Sequence, residues 1–280
     1  MALSTISLTS GMRANLFSLQ KTSIDMEVTQ KRLSTGLKVN SALDDPINFF
    51  TAQEHKMRAS DLASRKDGMS EAIQTIKAAN VGIEGINNLI AQAKSLAQSA
   101  LSAGSTDALA FGTQFGEVLT QINEMAEDSG YKGINLLQSG ELTVEFAPSA
   151  GDATLKLTGF GGTDTQFTTI DTASVTSGGW VSGSDVSTAV IQTAIDGLET
   201  AMGDLRTESK KLSSNLSIIT AREDFTSNMT NTLKDGAAKL TEADMNEEGA
   251  NMLMLQTRQA LGTTSLSMAS QAAQSVLRLF

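Results

Sequence analysis

The chain has 280 residues, a formal net charge of -10, one His, no Cys and only 4% aromatic residues. Without cysteine there are no disulfides, thiolate metal sites or cysteine nucleophiles, and the single His55 cannot build a Ser-His-Asp triad alongside a metal cluster, nor an H-E-x-x-H protease helix. The acidic balance argues against nucleic acid, no apolar run approaches the roughly 18–20 residues that span a bilayer, and the opening MALSTISLTSGMRANL lacks the apolar stretch of a cleaved signal peptide.

Residues 3–35 read as a first helix. Leu8, Met12, Leu16, Leu19, Met26 and Leu33 recur at three- and four-residue steps and form a narrow apolar seam. Gly36 is a natural stop, and Leu37 to Asp45 is a non-helical connector. Asp44 or Asp45 caps a second helix, with Pro46 in the first turn where no N–H donor is needed. That helix runs to about residue 102 despite Gly68, Gly82 and Gly85. His55, between Glu54 and Lys56, reads as a packed or solvated side chain, and Asp44-Asp45 as a helix start rather than metal ligands.

Ala103-Gly104-Ser105 makes a turn into a third helix ending at Asp128-Ser129-Gly130, with Phe111, Phe115, Val118, Leu119, Ile122 and Met125 on one face. Leu142–Phe146 and Ala153–Leu157 alternate with period two around Pro148–Asp152 and predict a β-hairpin. Residues 159–185, rich in Gly, Ser and Thr, read as surface loop with room for one more strand, leaving Phe160, Phe167 and Trp180 as isolated aromatics. A fourth helix from about Ser187 carries Leu198, Met202, Leu205, Leu212, Leu216 and Ile219 on a heptad seam, with Ser209 filling one seam position. Lys234-Asp235-Gly236 is expected to break it. A last helix over 242–278 places Ala250, Met254, Leu261 and Met268 on a second terminal seam, with Leu277 near its end.

Terminal helices normally fray, and neither of these has a sequence neighbour to cover its seam. The economical solution pairs the two ends with each other and then with copies of the same chain. The predicted fold is mainly α: an elongated helical hairpin or coiled-coil rod with paired N- and C-terminal helices and a small β-hairpin in the middle. The basic excess of residues 1–43 opposes the acidic excess of residues 241–280, which weakly favours the pairing.

Four stretches then resemble the bacterial flagellins. Residues 31–45, KRLSTGLKVNSALDD, are similar to the family's connector between inner and outer core. Residues 121–137, QINEMAEDSGYKGINLL, resemble its Asn, Glu, aromatic-x-Gly-x-x-Leu-Leu signature; residues 241–249 resemble its acidic turn, and residues 260–280, with Gln271 and Val276-Leu277-Arg278-Leu279, its tail. The resemblance implies an extracellular filament subunit for swimming motility, exported unfolded through the flagellar secretion channel without a cleaved signal. Its implied partners are copies of itself, an export chaperone and the filament cap, with no enzyme activity and no cofactor. On that reading residues 1–43 and 241–280 are inner-core helices lining the lumen, 44–140 and 187–240 the outer-core rod, and 141–186 a reduced variable region. The hook–filament junction protein and, from another class, a cytoplasmic coiled-coil adaptor are the alternatives.

The chain departs from the family at Phe280, where an Arg commonly ends the tail. It departs also on the long helix, where the resemblance implies an Arg, a Leu and a Glu read by the flagellin-sensing Toll-like receptor. Here Gln92 replaces the Arg and Ser95 the Glu, while Leu96 and the basic Lys94 remain. On an exposed filament surface Thr165, Thr168, Thr169 and Thr172 are candidate O-glycan acceptors.

Overall fold

In a computed structural model the described residues are 10–147, 153–160 and 179–277, and they are mainly helical. The elements are α1 (Ser10–Thr35), α2 (Pro46–Leu101), α3 (Ser105–Asp128), β1 (Glu141–Glu145), β2 (Thr154–Thr158), β3 (Val181–Ser182), β4 (Asp185–Val186), α4 (Thr188–Thr241) and α5 (Met245–Leu277). The chain divides into two units: residues 58–231, and residues 1–57 with 232–280.

The unit of residues 58–231 has a dry core. Met69, Ile76, Ile86 and Ile90 of α2 share it with Phe115, Leu119 and Ile122 of α3 and with Leu198, Leu205, Leu212 and Ile219 of α4. The heptad read from α4 is therefore the buried stripe, with Met202 and Leu216 packed at its edge. Ser209, the polar position of that stripe, is bonded to Asn80 across the seam at 3.4 Å. At Gly82 the helices come so close that a Cβ would overlap the Ser129 hydroxyl and stand 2.8 Å from Leu137, so only glycine fits. The helix propensity lost there, about 1 kcal/mol, is the cost of that approach.

Asn135 closes the C-terminal end of α3 by donating its side-chain amide to the carbonyls of Ala126 and Glu127, at 2.8 and 2.9 Å. The preceding tight turn needs left-handed backbone at Lys132 and Gly133, φ 50° and 81°. β1 and β2 pair antiparallel with Val144 opposite Leu155, and Val144 and Leu157 drop into the core. The intervening turn, Pro148–Asp152, lies outside the described residues.

Two expectations change. Trp180 is no loop aromatic: it is fully buried, 4.9 Å from the Phe115 ring, just before the two-residue ladder of β3 and β4. An isolated Trp next to glycine carries no periodic signal, so sequence pattern cannot assign it to a core. Lys234-Asp235-Gly236 also fails to break α4, which continues to Thr241. A single Gly costs a helix about 1 kcal/mol, too little to end one that packs on both sides of it; Ala237 beside it is fully buried.

Phe115→Ala should destabilise this unit by about 3–5 kcal/mol through loss of burial and the cavity left beside Trp180. Urea unfolding followed by the fluorescence of Trp180, the chain's one tryptophan, measures it.

Candidate assembly surface

The other unit is built on α1 and α5, which pack together. They run antiparallel: the Arg32 guanidinium meets the Glu248 carboxylate at 2.8 Å, and Leu19 meets Gly262. On α1 the covered stripe is Met12, Leu19, Met26 and Leu33, half-buried, with Thr22 and Thr29 buried between them. The N-terminal seam read from sequence is thus largely the intrachain seam. Leu16, at 40% exposure, sits off it, and Leu8 lies outside the described residues.

On α5 the covered stripe differs from the predicted one. Glu248, Met252, Leu255, Gln259, Gly262, Leu266 and Ala269 follow four- and three-residue steps and are buried or half-buried. Met254, Leu261 and Met268 are 44, 66 and 59% exposed, and Ala250 is exposed as well. The physical reason is that α5 has apolar residues nearly all round, Leu253-Met254-Leu255 being consecutive, so hydrophobicity alone cannot choose a face. The choice is made by Glu248, which has an ion partner only on one side, and by Gly262. A Cβ there would stand 2.5 Å from a methyl of Leu19, so the two backbones approach only where the side chain is absent. A signal for this stripe existed: Glu248, Leu255, Gly262 and Ala269 repeat every seven residues, as do Met12, Leu19, Met26 and Leu33.

The connectors are clamped together at one end of the pair. Gly36 ends α1 with φ 71°, and its N–H donates to the Arg32 carbonyl at 2.8 Å. The N–H groups of Lys38 and Val39 both donate to the Thr241 carbonyl, at 2.7 and 3.2 Å, and the Ala243 N–H donates to the Gly36 carbonyl at 3.0 Å. The two predicted caps divide the work. Asp45 is the cap: its carboxylate accepts from the Asn48 backbone at 3.1 Å, with Pro46 as the first helical residue. Asp44 instead ties the loop, accepting from the N–H groups of Asn40 and Ser41 at 3.1 and 2.9 Å and from the Ser41 hydroxyl. Asp244 caps α5 in the same manner, accepting from the Asn246 N–H at 2.9 Å.

With the stripe covered, α1 still presents Phe17, Ile24 and Val28 to solvent, and α5 presents Leu253, Met254, Leu261 and Met268. At the connector, Leu43, Ile47 and Phe50 are exposed too, Leu43 at 96%. Monomeric proteins seldom leave such patches; they mark interaction surfaces. No described helix is long and apolar enough to cross a membrane. The remaining site residues lie elsewhere. In the unit of residues 58–231, Gln92 and Ser95 are exposed on α2, Leu96 packs against the core, and Lys94 donates to Glu199 of α4 at 2.6 Å. Thr165, Thr168, Thr169 and Thr172 lie outside the described residues, and Leu277 is the last residue of α5.

Comparison with known proteins places these features. The family model for the bacterial flagellin N-terminal helical region matches residues 4–141, and that for the C-terminal helical region matches residues 189–280. The chain is similar to flagellin FljM of Caulobacter vibrioides, 29% identical over 290 residues and covering 100% of both chains. It is similar to a flagellin of Brucella melitensis, 29% identical over 270 residues and covering 95% of each. A crystal structure of Bacillus cereus flagellin aligns with TM-score 0.44 at 19% identity, over 57% of this chain and 88% of that one.

The Asp44 carboxyl is held below its ordinary 3.8, first by the Asn40 N–H, then by the Ser41 N–H and hydroxyl. A carboxylate lowered in the folded state contributes stability above its ordinary value and loses it as pH falls through the folded value. An NMR pH titration of the Asn40 and Ser41 amides should therefore show the loop holding at pH 3.8 and releasing only at lower pH.

Proposed function

The chain belongs to the bacterial flagellin family and is a subunit of the flagellar filament, and we propose that it assembles through the apolar faces that α1 and α5 each leave uncovered. The observation that carries this reading is the exposure of Phe17, Ile24, Leu253, Leu261 and Met268 on two helices whose mutual seam is already filled. Burying each large apolar side chain contributes about 1.5–3 kcal/mol, and in a repeating lattice every copy gains it on more than one side. Flagellin matches at both ends of the chain and flagellin relatives over its full length do not favour the junction-protein alternative.

The finer points of the reading follow from the same chemistry. Leu43, Ile47 and Phe50 extend the contact surface to the connector. An export chaperone and the filament cap are the transient partners that would shield such faces before assembly. Export as an unfolded chain is aided by the absence of cysteine, which removes covalent cross-links from a threading polypeptide. The role is structural, with no catalytic step.

Leu261→Asp tests the surface. A charge buried between subunits costs several kcal/mol, repeated in every copy. Purified variant should retain the Trp180 unfolding transition of the wild-type chain yet fail to extend filament seeds in electron micrographs, and a strain carrying only this variant should not swim.

The receptor stretch gives a second expectation. Gln92 lacks the fixed cationic fork of an arginine, and Ser95 lacks a carboxylate. Each missing desolvated charge contact costs about 2–5 kcal/mol. Endotoxin-free monomer should accordingly give a weak or absent response in cells reporting the flagellin-sensing Toll-like receptor, and the double variant Gln92→Arg with Ser95→Glu should raise it.

A further inference from the structure

Among the described residues four methionines are strongly exposed: Met57, Met245, Met254 and Met268, at 55, 49, 44 and 59%. Met254 and Met268 lie two seven-residue steps apart on one line of α5, with Leu261 midway between them. They therefore stand either side of Leu261 on the α5 face assigned above to the next subunit. The chain offers a peroxide no thiol, and its one tryptophan is buried in the other unit. Thioether sulfur is thus the group on this face that two-electron oxidants reach.

We propose that Met254 and Met268 are reversible oxidation sites that govern addition of the chain to the filament. The inference rests on the assembly reading of this face. In the free chain the sulfur attacks the outer oxygen of a hydroperoxide. An S–O bond forms as the O–O bond breaks, the leaving oxygen takes up a proton as water or alcohol, and the thioether is oxidised to sulfoxide while the peroxide is reduced. The product is polar and chiral where an apolar, adaptable side chain stood. Covering it by a second subunit leaves the S=O dipole without the water it was bonded to, so the oxidised chain is rejected. Once a subunit is in place the same sulfurs are closed to oxidant. A subunit is therefore sensitive before it joins and resistant afterwards. Sulfoxide reduction by a thiol-dependent reductase restores the face without new synthesis.

The experiment treats full-length monomer with hydrogen peroxide, maps the added oxygen by peptide mass spectrometry and measures elongation from unoxidised seeds. The expected result is oxygen on Met254 and Met268 in monomer but not in preformed filament, elongation roughly tenfold slower after treatment, and recovery on incubation with methionine sulfoxide reductase. In Met254→Leu/Met268→Leu the ratio of treated to untreated rate should return to one, whatever that variant's own rate, although Met57 and Met245 are still present to be oxidised. The reductase arm uses only the wild-type chain and decides the matter even if the double variant elongates poorly. Full-rate elongation by monomer oxidised at both positions, or undiminished sensitivity in the double variant, would overturn the proposal. Failure of untreated wild-type monomer to elongate would instead remove the assembly reading, and this inference with it.

Discussion

Everything at the ends of this chain hangs on the mutual hydrogen bonding of its two connectors. Residues 36–39 and 241–243 are separated by some two hundred positions in sequence, yet they share a short strand-like ladder in which one carbonyl, that of Thr241, accepts two N–H groups. The ladder fixes where α1 leaves and where α5 begins. Arg32 and Glu248, on the first turns beyond it, then fall opposite each other, and the half-buried ion pair forms without either side chain having to search. Glu248 also sits in the first turn of α5, where the helix dipole favours its charge, so the same residue serves helix initiation and pairing.

The two units rest on different physics. The unit of residues 58–231 excludes water with isoleucine, leucine, phenylalanine and tryptophan; Ser209 on its seam is paired with Asn80, while the buried indole N–H of Trp180 and the hydroxyl of Thr230 have no hydrogen-bond partner. The α1–α5 seam is leaner. Among the described residues of α1 and α5, the four buried positions are two threonines, a glutamate and a single leucine, Leu255. Such a seam specifies a partner and a register but buries little apolar area, and isolated helices are marginal without more. The hydrophobic surface that could have strengthened it is instead turned outward, on Phe17, Ile24, Leu253 and Leu261. A chain that kept that surface for itself would be a better monomer and a poorer subunit.

What could be read in the sequence follows from where periodicity was strong and unambiguous. The heptad of α4, the apolar face of α3, the hairpin alternation and the Gly36 and Asp45 boundaries are local signals, and each corresponds to a feature of the fold. The face of α5 was not legible by hydrophobicity, because its apolar residues encircle it. Choosing between faces needed Glu248 and Gly262, whose meaning depends on Arg32 and Leu19 at the far end of the chain. Trp180 was missed for a related reason: its partner Phe115 is long-range, and its neighbours carry no pattern. The persistence of α4 through Gly236 is an energetic outcome, a small local cost offset by packing over its neighbours.

Leu19 over Gly262 carries one more implication. Slide α5 by one heptad in either direction, and Leu19 faces Leu255 or Ala269, both of which bring a Cβ into space the present geometry fills with a methyl. The pair therefore has a single permitted phase. In an isolated molecule a phase error would matter only to that molecule. In a polymer each subunit is the template for its neighbour, so a slipped pair would hand its displacement on down the fibre. The side chain absent at Gly262 thus sets the phase of the α1–α5 pair within each copy.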